Sequence, residues 1–86
     1  MLPYTIEFLR SAQKEYEALE IKLRSRIRKA IDGLIVNPRP RTSKKLEGED
    51  HYYRLRVGDY RIVYHIDDKI RIVLIERVRH RGDVYR

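Results

Sequence analysis

The sequence has no cysteine. That excludes disulfides, a thiolate zinc site and a cysteine nucleophile. With three histidines and few clustered carboxylates, a structural metal is not expected either. No apolar run approaches the ~18 residues that span a membrane. The N-terminus shows no signal-peptide pattern, so a soluble cytoplasmic protein is the expectation. Repeats, linkers and low-complexity stretches are absent. The 86 residues allow one domain, residues 1–86. A domain of this size buries only about 60% of its unfolded surface, so a large enclosed cavity is not expected. Chemistry, if any, belongs in an open groove.

What the chain does have is positive charge. Lys and Arg number 20 against 13 Asp and Glu, for a net charge of +7. The excess is uneven. Residues 21–45 carry a net +8, residues 46–53 a net −3 and residues 54–86 a net +4. Fourteen of the basic residues are Arg, whose planar fork of donors matches phosphate oxygens and stacks on bases. A polyanionic partner follows, with nucleic acid first. The hydrophobic fraction of 42% is too high for a disordered basic tail.

The hydrophobic pattern predicts an α+β domain of order β-α-α-β-β-β. Tyr4, Ile6 and Phe8 alternate with Thr5 and Glu7 in a short half-buried strand over residues 3–8. A helix starts near Leu9 with Ser11 as a candidate cap, and Ala12, Tyr16 and Leu19 continue its apolar face. A second helix, Glu20 to Val36, has its stripe at Leu23, Ile27, Ala30, Ile31, Leu34 and Ile35. Asn37-Pro38 ends it. Its solvated side carries Lys22, Arg24, Arg26, Arg28 and Lys29, a candidate RNA-docking surface that Lys44 and Lys45 extend. The tight connection predicts an antiparallel helical hairpin. Residues 37–51 read as a loop. Three strands follow, at 52–57, 60–66 and 70–78, with the early strand added at the sheet's edge.

A two-residue turn at Gly58-Asp59 fixes a register. Tyr53, Leu55, Val57, Tyr60, Ile62 and Tyr64 then share one apolar face, which the helices cover. Tyr52, Arg54, Arg56, Arg61, Val63 and His65 share the other, with Arg56 opposite Arg61. A three-residue turn at 67–69 carries Ile70, Ile72 and Leu74 to the core face and Arg71, Val73, Ile75 and Arg77 to the second. Like charges placed opposite each other destabilise a sheet, so this arginine face reads as an anion site. The plainer alternative is that Arg stems cover apolar sheet while their heads reach water.

The same segments resemble a known family. The helices ending in "NPRP", the "KKLEG" at 44–48, the "YRLRVGDYR" hairpin and the terminal "HRGDVYR" look like the RelE/ParE superfamily of toxin–antitoxin toxins. The RelE-like branch is favoured. The resemblance implies a RelE-like microbial RNase-type fold, with an antiparallel sheet packed against a helical hairpin. It also implies an mRNA interferase that cuts mRNA in the ribosomal A site by attack of the 2′-OH on the adjacent phosphate, without metal or cofactor. The family's functional positions map to Arg54, Arg56, Arg61, Arg81 and Tyr85. Better-known members place Lys where this chain has Arg54 and Arg56. Arg is a poor general base, so acid–base work falls to His80, His65 or Tyr85, or to no side chain. His51 reads as a surface residue. The implied partners are a RelB-like antitoxin, ribosomal RNA and mRNA. Two alternatives stay open: a ParE-like toxin that inhibits DNA gyrase, and a catalytically weak RNA-binding relative.

Overall fold

The computed structural model describes residues 2–84. The elements are β1 (Thr5–Phe8), α1 (Arg10–Glu17), α2 (Ile21–Gly33), β2 (Ser43–Lys45), β3 (Tyr52–Val57), β4 (Tyr60–Asp67), β5 (Ile72–His80) and α3 (Arg81–Val84). The α+β order expected from the pattern is present. The strands form one sheet in the order β1-β5-β4-β3-β2. Its pairs are antiparallel except at one edge, where β1 runs parallel to β5.

The helices lie over one face of the sheet, α1 against β5 and β1, α2 against β3. Ile27, Ile31 and Leu34 of the predicted α2 stripe are fully buried, with Leu23 and Ala30 packed beside them. The Glu20 carboxylate caps α2 by accepting from the backbone N–H groups of Lys22 and Leu23 at 3.1 and 3.3 Å. Two boundaries differ from expectation. Ser11 lies inside α1, and the N-cap is Leu9, which offers no side-chain acceptor. The second helix ends at Gly33 instead of Val36, because Leu34 and Ile35 bond back only three residues, to Ile31 and Asp32.

The β3–β4 register is the one the Gly58-Asp59 turn implies. Tyr53 pairs with Tyr64, Leu55 with Ile62, Arg56 with Arg61 and Val57 with Tyr60. Leu55, Ile62 and Tyr64 are core residues, and Tyr53, Val57 and Tyr60 pack against them.

The face assigned to β5 is reversed over residues 70–75, while Arg77 lies on the second face as expected. The Asp67 carboxylate accepts from the N–H groups of Lys69 and Ile70 at 3.0 and 3.1 Å. Arg71 adopts a left-handed conformation, φ 56°. The connection therefore spans residues 68–71, and Asp67 pairs with Ile72. A change of one in the loop flips every side chain beyond it. Val73 and Ile75 are buried, while Ile70 is 65% exposed and Ile72 and Leu74 are half-buried. The register then shifts between Val63 and Tyr64, because Ile75 pairs with Tyr64 and Arg77 with Val63. Glu76 is the extra residue of this bulge. Val78 returns to the core, and Arg77 and Arg79 lie on the face of Val63 and Arg61.

The segment read as a loop contains β2, a three-residue edge strand in which Ser43 pairs with Leu55 and Lys44 with Arg54. Its lysines suit an edge, since their charge discourages further strand pairing. No helix among the described residues is long and apolar enough to cross a membrane.

Candidate functional site

The second face of the sheet holds an open groove of about 490 Å³. Arg41, Thr42, Lys44, Arg54, Arg56, Gly58 and Arg61 line it. Five of these seven residues are cationic and none is acidic. β3 supplies Arg54 and Arg56 by strand alternation, β4 supplies Arg61, and β2 brings Lys44 beside Arg54. Arg61 is only 6% exposed, the one charged residue in the buried set of described residues. Its position in the central β4 strand, between Arg56 and Arg79, accounts for that. A row of cations at the floor of a groove gives the strong positive potential that a phosphodiester needs.

The Gly58-Asp59 turn forms one end of the groove. Gly58 has φ +58°, and a Cβ there would meet the Arg26 guanidinium at 3.3 Å. Both facts favour glycine. They also show that α2 sends Arg26 to the same turn. The Arg81 N–H donates to the Asp59 carbonyl at 2.7 Å, so α3 begins against this turn. Arg81 itself is exposed and outside the groove lining.

Other candidate residues are scattered. His80 pairs with Tyr60 in the sheet, which puts it on the face opposite Arg61. Its ring meets Tyr60 edge-on, with centroids 5.4 Å apart, and its Nδ1 accepts from the Gly82 N–H at 3.3 Å. His65 shares a face with Arg61 but lies four residues along β4, about 13 Å away. It contacts Tyr52 and His51 at the other end of the sheet, at ring distances of 4.8 and 6.1 Å. Tyr52 is nearby, and the charge of Glu76 raises its phenol pKa. Tyr85 lies outside the described residues.

The docking set on α2 and β2 is also divided. Arg28 is paired with Asp32 at 3.1 Å, and that hydrogen bond raises its pKa. Arg24 donates to the Glu17 carbonyl at 3.3 Å, and Lys45 pairs with Asp50 at 3.4 Å. Lys22 and Lys29 are exposed.

Three arginines near the site carry no mark in the sequence pattern. Arg41 belongs to the groove lining although it sits in the segment read as loop. Arg79 is the β5 partner of Arg61, and Glu15 of α1 holds its Nε at 2.8 Å. Arg39 clasps Asp68 through two guanidinium nitrogens at 2.8 and 3.3 Å and donates to the Tyr53 hydroxyl at 3.0 Å. Tyr4 donates to the same carboxylate at 2.6 Å. The Arg39 bonds first, and the Tyr4 bond second, hold Asp68 at a pKa of about 2.

The family model described as the ParE toxin of type II toxin–antitoxin systems, parDE, matches residues 6–85. The chain belongs to this RelE/ParE toxin superfamily. Its resemblance is to the RelE-like side. Toxin RelG of Mycobacterium tuberculosis is 33% identical over 86 residues, covering 99% of each chain. The archaeal RelE–RelB complex from Pyrococcus horikoshii superposes with a TM-score of 0.83 at 29% identity, over 94% of this chain and 98% of that one. The isolated RelE toxin of E. coli gives a TM-score of 0.82 at 28% identity, over 95% and 90%. The chain is thus a toxin of the type II toxin–antitoxin class with a RelE-like fold.

Proposed function

We propose that this toxin is a ribosome-dependent mRNA endonuclease, held inactive by a RelB-like antitoxin. One observation carries the reading: Arg54, Arg56 and Arg61 converge on one groove, and five of its seven described lining residues are cationic. In the proposed step the 2′-oxygen attacks the adjacent phosphorus and the bond to the 5′-oxygen breaks. The products are a 2′,3′-cyclic phosphate and a 5′-hydroxyl. Negative charge builds on the phosphoryl oxygens in that transition state. Guanidinium groups that converge on the groove stabilise that charge.

Arg61 is assigned the scissile phosphate, since it is central and buried. Arg54 and Arg56 flank it. Arg81, placed at the Gly58-Asp59 turn, is assigned the leaving-group side, and Tyr85 a stacking role on a neighbouring base. The histidines fit the base role less well. His80 faces away from the groove, and its Nδ1 is already an acceptor for Gly82; His65 is a sheet's length off. The work of the groove is then mainly electrostatic. Arg26 and Lys29 on α2 are assigned to ribosomal RNA, a contact that weakens steeply with salt.

The antitoxin follows from the relatives, several of which are known as toxin–antitoxin complexes. An acidic or amphipathic segment is the chemistry that would mask this groove.

The matching family model is named for ParE, which favours gyrase inhibition as the second reading. Mapping of mRNA 5′ ends after induction separates the two. Cuts phased to codons in translated messages are expected. Intact mRNA with accumulating gyrase–DNA adducts would replace the first reading with the second. Arg61→Ala and Arg81→Ala are expected to relieve growth arrest while staying folded.

A further inference from the structure

The strap between α2 and β2 is tied down residue by residue. The Pro38 carbonyl accepts from the buried Tyr64 hydroxyl at 2.8 Å. Arg39 is clasped by Asp68 and bonded to Tyr53. The Pro40 carbonyl accepts from both the Ser43 N–H at 2.9 Å and the Ser43 hydroxyl at 2.7 Å. That last pair closes a four-residue turn whose two central positions are Arg41 and Thr42. Tyr53 and Tyr64 belong to the core face, whereas Arg41 and Thr42 line the groove on the other face. The strap therefore wraps the sheet edge and presents two side chains to the groove at the tip of a rigid turn.

From this placement we infer a second phosphate subsite, formed by Arg41 and Thr42, with Arg39 and Asp68 as its positioning clasp. The ligand is a phosphodiester of single-stranded RNA next to the one at Arg61. A guanidinium and a hydroxyl on adjacent turn residues offer a charge-assisted and a neutral donor to one phosphate. Three anchored residues in a row spend the ordering entropy at folding, so little is lost on binding. The inference rests on the RNA-cutting reading but is tested apart from it.

The test is binding of a short single-stranded RNA, deoxy at every 2′ position adjacent to a candidate cut, by fluorescence anisotropy across a salt series. Arg41→Ala is expected to weaken binding about tenfold and to lower the salt slope by about 0.7, the increment for one phosphate contact on a single strand. Arg41→Lys is expected to restore the slope, as the charge is kept. Asp68→Asn is expected to weaken binding in the wild-type background and to add nothing in the Arg41→Ala background. In ribosome-programmed cleavage, Arg41→Ala is expected to raise KM and leave kcat unchanged. An unchanged salt slope in Arg41→Ala would overturn the subsite. Multiplying effects of the two substitutions would overturn the clasp. Binding of the deoxy-substituted RNA by a wild-type protein that leaves all-ribose message intact on programmed ribosomes would overturn the nuclease reading and leave the subsite standing.

Discussion

Arg56 and Arg61 are direct cross-strand partners in the β3–β4 hairpin, and Arg61 is buried while Arg56 is exposed. Like charges in that relation cost a few tenths to ~1 kcal/mol. The cost buys a cationic floor for the groove. It also gives a direct expectation for substitution. Arg56→Gln removes the repulsion and keeps the aliphatic stem, so it stabilises the fold by a few tenths to ~1 kcal/mol while lowering toxicity. Urea unfolding and growth arrest on induction measure the two together. A variant that loses stability along with toxicity would show that Arg56 serves the fold.

Arg54 is one of the three arginines assigned to the proposed site. It lies beside Lys44 and lines the groove. Arg keeps its proton at all accessible pH, whereas a desolvated Lys can accept one from the attacking 2′-hydroxyl. Arg54→Lys is therefore expected to raise the cleavage rate about a hundredfold, at the low end of what general base catalysis supplies. It should also bring in a rising limb of the pH–rate profile. Single-turnover cleavage on programmed ribosomes is the measurement. An unchanged rate and profile would mean that charge stabilisation alone limits the reaction.

Asp68 sets an acid limit on the clasp. The Arg39 bonds first, and the Tyr4 bond second, hold its folded carboxyl at about 2, below the ordinary 3.8. A depressed carboxylate contributes stability above its unfolded pKa, and that stability is lost as pH falls through the folded value. The window is therefore about pH 4 down to pH 2. The side chain is 46% exposed, so solvent screening reduces the contribution to about 1 kcal/mol or less. Asp68→Asn is expected to be less stable than wild type at pH 7 by that amount and to converge with it near pH 2. Urea midpoints at the two pH values decide this. A gap of the same size at both would trace the effect to packing instead of charge.

The hairpin that builds the groove floor was legible because Gly58-Asp59 fixes its own register, and a period of two then sorts Arg54, Arg56 and Arg61 to one face. The apolar stripe of α2 was legible for a similar reason: Ile27, Ile31 and Leu34 recur at helical spacing. β5 was not. Its face depends on whether the Asp67 carboxylate caps a three- or a four-residue connection, and on a bulge at Glu76 that leaves no local mark. Arg79 lay beyond the expected strand end at residue 78, whereas β5 runs on to His80. Arg41 and Arg39 were hidden by tertiary contact, since their roles come from Tyr64, Tyr53 and Asp68, which are distant in sequence. His80 read as a neighbour of Arg81, but it ends β5 on the face of Tyr60, whereas Arg81 opens α3.

Glu15 covers an open sheet edge. β1 pairs with β5 only as far as Ile75, so the outer N–H of Val78 has no strand partner. The Glu15 carboxylate of α1 takes that N–H at 2.9 Å and the Arg79 Nε at 2.8 Å. Val78 is buried, so its N–H has little access to water once the acceptor is gone. Glu15→Ala is expected to cost about 1–3 kcal/mol, the range for an unsatisfied buried donor. Glu15→Gln keeps an acceptor for Val78 and loses only the charge on Arg79, which is 37% exposed and well solvated. It should cost about half as much or less. Thermal unfolding resolves the difference, since 1 kcal/mol moves the midpoint by about 4–8 °C in a domain of this size. Equal losses in the two variants would locate the stabilisation in the ion pair. A graded loss locates it in the backbone donor, and Glu15 is then the edge protection that lets β5 run past its partner strand to carry Arg79 to the groove face.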